Sequence, residues 1–192
     1  MQRASIAGRR RPGDGFTLVE MLIALIVLGV LTSMVARGIG ASGYRGDGAA
    51  RTIRSALQQA QRTAILRQYD VVVSFDSARS RLRVLEDADN DHVADPGELV
   101  AWHAIESTQH FAQPAVGIDG KVPTAFAAPG TSIDQMPSLA FHRDGSASDA
   151  MVIYIKDGTS GSKQMRAVAV TRSTGRIQWY KGNGSTWKGG GL

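Results

Sequence analysis

Three groups of residues have the types and spacing to do chemistry. The first is one carboxylate, Glu20, almost at the front of the apolar run FTLVEMLIALIVLGVLTSMVA, Phe16 to Ala36. An ionised acid near a bilayer interior is costly unless a cation meets it, so Glu20 reads as a charge that needs a partner. The second is DADNDHVADPGE, where Asp87, Asp89, Asp91, Asp95 and Glu98 fall at positions 1, 3, 5, 9 and 12 of a loop. That spacing can gather hard oxygen ligands round Ca²⁺. Against it, His92 stands at position 6, where a Gly normally makes the sharp turn, and the flanks read as strands rather than helices. The alternative is an acidic, solvated hairpin loop.

The third group is the tail TRSTGRIQWYKGNGSTWKGGGL. Arg172, Arg176, Lys181 and Lys188 are interleaved there with Trp179, Tyr180 and Trp187, and no acid intervenes. Aromatic faces stack on bases while cations track phosphates, so this composition suits sequence-tolerant nucleic-acid binding. The alternative is an edge strand guarded by cations, followed by a flexible Gly-rich end.

Other chemistry finds little support. With no cysteine, disulfides, thiolate metal sites and Cys nucleophiles are excluded. His92, His103, His110 and His142 lack metal-ligand spacing, and His103 and His142 read as ordinary sheet residues. No G-x-S-x-G or P-loop occurs. GIGASG, 38–43, matches G-x-G-x-x-G, but a dinucleotide fingerprint needs a strand before it, and here an apolar helix comes first. The expectation is a non-enzyme with no cofactor, Ca²⁺ being the only ion its residues suggest.

These groups need elements to position them. The chain has 192 residues, enough for one ordinary domain and an appendage, and its net charge of +5 is uneven. Residues 1–15 hold Arg3, Arg9, Arg10 and Arg11 against Asp14, the last thirty residues are wholly basic, and the body between is acidic. As a helix, 16–36 would be roughly 30 Å long, a match for a bilayer core. The arginines before it would keep 1–15 cytoplasmic and export the rest. A cleaved secretion signal is the alternative, with SMVARG as its cleavage site.

GFTLVE, Gly15 through Glu20, behind a basic leader resembles the prepilin peptidase site of type IV pilins and type II secretion pseudopilins. The resemblance implies cleavage between Gly15 and Phe16, N-methylation of Phe16, and retention of the helix on the mature protein. It also implies a partner for Glu20, the charged amino terminus of a neighbouring subunit. Many major pilins carry a proline in this helix, whereas this chain has none. Instead Gly38, Gly40, Gly43, Gly46 and Gly48 crowd together, each costing about 1 kcal/mol against Ala within a helix, which predicts a hinge over 38–48.

From Ala49 to Tyr69, Ile53, Ala56, Leu57, Ala60 and Ala64 recur at helical spacing, predicting an amphipathic helix with its Ala-rich face on a sheet. Seven strands are expected after it, over 71–76, 81–86, 98–104, 138–143, 150–156, 165–172 and 175–180. The fold class is therefore α+β, a long N-terminal helix with a membrane-embedded first half, packed on an antiparallel β-sheet domain. That is also the pilin plan, and AFHRDGS…MVIYI…RAVAVTRSTGRIQ further resembles the GspH/FimT type of minor pseudopilin and minor pilin.

The expected organisation is a leader at 1–15, a transmembrane and filament-core helix at 16–37, the hinge, and a periplasmic pseudopilin domain at 49–192. The resemblance implies a structural and assembly subunit of a type II secretion pseudopilus or a type IV pilus, single-pass in the bacterial inner membrane before assembly. Its implied partners are other pilin or pseudopilin subunits, the prepilin peptidase and the inner-membrane assembly platform. DNA is the alternative partner, because FimT-type minor pilins are associated with DNA capture through a basic C-terminal region with a Gly-Arg motif. Gly175-Arg176 matches its start, while Gln178 stands where a second basic residue belongs.

Overall fold

The computed structural model describes residues 17–38, 41–128, 131–158 and 163–189. The chain divides at Gly40 into two compact units. The first contains helix α1, Leu18–Gly38. Thr17 caps it, its Oγ1 accepting the Glu20 N–H at 3.2 Å. Its described side chains, through Thr32, are exposed on every side. Among the described residues no helix is long and apolar enough to cross a membrane. Gly15 and Phe16 lie outside the described residues.

The second unit opens with α2, Ala41–Arg67. Ile53, Ala56, Leu57, Ala60 and Ala64 are all buried along one face, as their spacing requires. The helix starts well before the expected 49, so Gly43, Gly46 and Gly48 of the expected hinge are helical. Tertiary anchoring outweighs glycine's weak propensity here. Asp47, between two of these glycines, is tied by Arg166 and Lys181 to strands far along the chain. The helix stops at Gln68, whose φ of +64° turns the chain out and whose N–H still bonds the Ala64 carbonyl at 2.9 Å.

Two antiparallel sheets follow. One runs β3 (Leu99–Ala104), β2 (Arg81–Asp87), β1 (Asp70–Asp76), β7 (Met136–Phe141), β6 (Thr131–Ile133). The other runs β11 (Trp187–Gly189), β10 (Ile177–Gly182), β9 (Met165–Val170), β8 (Met151–Asp157), β4 (Gln109–Phe111), with β5 (Ala127–Ala128) also on β8. All seven strands expected from the sequence are present. β4, β5, β6 and β11 are too short to carry a readable alternation.

The expected antiparallel β-sheet domain is thus built as two sheets sharing one helix. Val71, Val73 and Phe75 of β1, Leu139 and Phe141 of β7, Ile153 and Ile155 of β8, and Val168 and Val170 of β9 meet the buried face of α2 in one core. Strand alternation sends the intervening residues to the opposite faces, where Val72, Leu85 and Ala140 form a second cluster and Tyr154, Met165 and Ala167 a third.

Candidate functional site

Glu20 occupies the first turn of α1, three residues after its cap, in the order Thr-x-x-Glu of a capping box. A carboxylate there lies at the positive end of the helix dipole. The Thr32 hydroxyl is satisfied within the helix, its Oγ1 donating to the Leu28 carbonyl at 2.7 Å. Glu20 is therefore the principal polar feature on an otherwise apolar, exposed cylinder.

The acidic loop joins β2 to β3. Asp87, the last residue of β2, is fully buried, and its two oxygens accept the N–H groups of Asp91 at 3.2 Å and His92 at 2.8 Å. Burial pushes its carboxyl above the ordinary range, against the pull of these backbone donors. His92 takes a φ of +66°, so it adopts the left-handed turn for which a glycine had been expected. Carboxylate oxygens of Asp87, Asp89 and Asp91 lie within 4.8 Å of one another, so three of the five acids converge. Asp95 is pushed up by desolvation and by the negative charges of Asp91, Asp89 and Glu98.

Glu98 behaves differently from an ion ligand at position 12. Its Oε1 accepts the Ala88 N–H at 2.8 Å and its Oε2 the Asp95 N–H at 3.0 Å, so both oxygens clip the ends of the loop together. Replacing Glu98 by Ala should remove about 1–2 kcal/mol, confined to the loop. Hydrogen exchange checks this: the Ala88 and Asp95 amides should lose protection while those of β1 keep theirs. Equal loss in both would mean that Glu98 supports the whole domain.

The basic tail is corrected by the structure. It is largely strand, and β11 pairs with β10 where a flexible end was the expectation. Because successive strand residues face opposite ways, Trp179 packs on the main core while Tyr180 joins Tyr154 and Trp187 on the far side. Trp187 is fixed further, its Nε1 donating to the Val116 carbonyl at 2.7 Å and its ring 5.5 Å from that of Tyr154. Lys181 is bonded to Asp47 at 2.9 Å and lies over Trp179. Arg172, Arg176 and Lys188 remain exposed. The three aromatic side chains are thus partly buried and divided between two faces, Trp179 on one and Tyr180 with Trp187 on the other.

Two anchors escaped the sequence reading. Arg166 is buried on β9, its Nε 2.7 Å from Asp47 Oδ1, while Asp47 Oδ2 takes Lys181. Desolvation raises the Asp47 carboxyl, but bonds to Lys181 and Arg166 outweigh it and leave a net depression. The second anchor is Gln61 on α2, whose Nε2 donates to the Gly145 carbonyl at 2.7 Å and the Thr174 carbonyl at 3.1 Å. It clasps the β7–β8 and β9–β10 turns to the helix. No local signal marks either residue, because each partner is distant in sequence.

Two family models match the chain. Residues 10–36 match the prokaryotic N-terminal methylation motif. Residues 49–175, well over half of the chain, match the type II transport protein GspH. No curated protein matches significantly. Among solved structures, similarity is found to the minor pseudopilin EpsH from the type 2 secretion system of Vibrio cholerae, at 15% identity and TM-score 0.49. That match covers 70% of this chain and 95% of the other. The type IV minor pilin FimU of Pseudomonas aeruginosa is similar at 16% identity and TM-score 0.46, covering 74% of this chain and 92% of the other. With a methylation motif over the capped apolar helix, and the GspH match covering most of α2 and the strands through β9, the chain belongs to the GspH family of type II transport proteins.

Proposed function

We propose that this chain is a minor pseudopilin or minor pilin that is cut between Gly15 and Phe16, methylated on Phe16, and drawn from the inner membrane into a filament. Proteins of this family are structural subunits rather than enzymes. Before assembly, the segment 16–37 would hold the protein in the membrane by a single pass, with the domain behind it in the periplasm. The prepilin peptidase, the assembly platform and other pilin subunits would be its partners. The observation that carries the reading is Glu20, an acid in the first turn of a helix that is apolar and exposed on every described side. A helix apolar all round belongs in lipid or among other helices. In such surroundings a carboxylate paired with a neighbour's ammonium group is far better placed than either charge alone.

The test is made in cells that assemble the filament. Glu20→Ala should be cleaved normally yet fail to enter the filament, because the residue acts after processing. Gly15→Val should block cleavage itself, leaving the leader attached. Normal incorporation of Glu20→Ala would remove the docking role, and normal cleavage of Gly15→Val would remove the processing site.

A further inference from the structure

We propose that the open edge of β3, with the groove between it and α2, is a docking surface for an extended, acidic segment of another polypeptide, taken up as a further strand of the sheet. β3 ends its sheet, with β2 on one side and no strand on the other among the described residues. The Ile105 N–H donates to the Ser80 carbonyl at 3.1 Å, and antiparallel bonding alternates from that pair. Leu99, Ala101 and His103 therefore bond to β2, while the backbone groups of Val100, Trp102 and Ala104 point outward. Natural edges of this kind are kept short or guarded by charge or proline. The other ends of the two sheets, β4, β6 and β11, are three residues each. β3 has six, LVAWHA, with no acid, lysine, arginine or proline among them. Leu99, Val100 and Trp102 are also 62%, 42% and 43% exposed. Outward donors and acceptors at strand spacing, beside apolar side chains, fit the main chain of an added strand.

The groove behind this edge sets the chemistry of the occupant. Two clefts, of about 350 Å³ and about 60 Å³, share Ala56, Gln59 and His103 and run between α2 and β3. Ala56, Ala60, Val84 and Ala101 give the groove an apolar lining of small side chains, which leaves room for those of an added strand. Its outer wall is basic. Arg51 lines it and is exposed, and the exposed Arg62, three turns further on, shares the same stripe of the helix. Neither is held in an ion pair among the described residues. After Asp47, α2 carries four arginines and no acid. Glu86, the carboxylate that lines the groove, already accepts the Tyr69 hydroxyl. Charge complementarity therefore favours an acidic strand. It disfavours a second copy of this chain, because an antiparallel pair of β3 edges would set a second basic α2 on the same face as the first.

The experiment titrates the full-length protein, in detergent, with two labelled and end-blocked peptides of alternating valine and threonine, read by fluorescence anisotropy. One peptide has glutamate at both ends and the other lysine. We expect the glutamate peptide to bind at least about 10-fold more tightly than the lysine peptide. Amide exchange followed by NMR should slow at Val100 and Trp102 on binding, and stay as it was at Ala101, which already bonds to β2. Val100→Pro leaves the β2 ladder intact, because the lost N–H points outward, and should weaken binding at least about 10-fold. Arg51→Glu combined with Arg62→Glu should remove the preference for the glutamate peptide. Circular dichroism shows that each variant is folded, and the exchange pattern of the unaltered protein decides the matter if Val100→Pro is not. The proposal is overturned if the glutamate peptide has no advantage, if Val100 and Trp102 exchange as before in its presence, or if folded Val100→Pro binds undiminished. Dimerisation that Val100→Pro abolishes would make the occupant a second copy and overturn it equally.

Discussion

Gly175→Ala is expected to destabilise the domain from Ala41 by about 3 kcal/mol, a large effect for one methyl group. Gly175 holds a φ of +59°, where a side chain already costs about 1–2 kcal/mol. A Cβ there would also lie 2.3 Å from both Gln61 Nε2 and the Gly145 carbonyl oxygen. The amide can move aside, but it would then abandon the two carbonyls that it clasps. The backbone oxygen has no such freedom, because Gly145 sits in its own tight turn with a φ of +82°. Denaturant unfolding of Gly175→Ala, Gln61→Ala and the double variant separates the two parts. Gln61→Ala alone should lose about 1–2 kcal/mol by leaving the carbonyls unpaired. The double variant should remain clearly less stable than Gln61→Ala, since the clash with Gly145 persists. Full recovery to the Gln61→Ala value would show that the amide alone made glycine necessary.

The second large effect is expected at Asp47. Asp47→Ala should cost about 3 kcal/mol, because it leaves the buried Arg166 guanidinium without the carboxylate that its Nε meets at 2.7 Å. Combining it with Arg166→Met should recover part of the loss, since a buried charge that has lost its carboxylate is worse than an apolar replacement of both residues. If the double variant were no more stable than Asp47→Ala, the penalty would lie in the helix terminus and not in the stranded charge.

The same pair sets a pH dependence. The Asp47 carboxyl is held below its ordinary value of 3.8, so its contribution is fully present above that pH and is lost as pH falls through the depressed folded value. Asp76 is depressed likewise: bonds to Arg81 and Arg79 overcome the upward push of its burial, and its contribution disappears in the same direction. Unfolding midpoints of the unaltered protein should therefore fall below about pH 4, and Asp47→Ala should flatten that slope.

The acidic loop shows how far spacing alone reaches. Asp87, Asp89 and Asp91 converge as their alternation suggested, because three acids within five residues share one tight turn. Glu98 did not follow, since backbone N–H groups at both ends of the loop compete for its oxygens and hold them. His92 and His142 are 50 positions apart in sequence and read as unrelated. Only the register of β1 between β2 and β7, with Asp70 opposite Asp87 and Val71 opposite Phe141, sets both rings beside one carboxylate.

By itself the sequence determined the elements whose signals are local. The 3.6-residue spacing of Ile53, Ala56, Leu57, Ala60 and Ala64 set the buried face of α2. Short runs rich in β-branched and other apolar residues set β1, β2, β7, β8 and β9, and Thr17 with Glu20 set the start of α1. The tertiary structure decided whatever depends on partners distant in the chain. It made helix of glycines whose propensity argues for a hinge, because Asp47 is bound to β9 and β10. It sorted the strands into two sheets and sent Trp179 and Tyr180 of the basic tail to opposite faces. Periodicity reports which way a residue faces within its own element, whereas burial, ion pairing and ligand geometry depend on what lies across from that face.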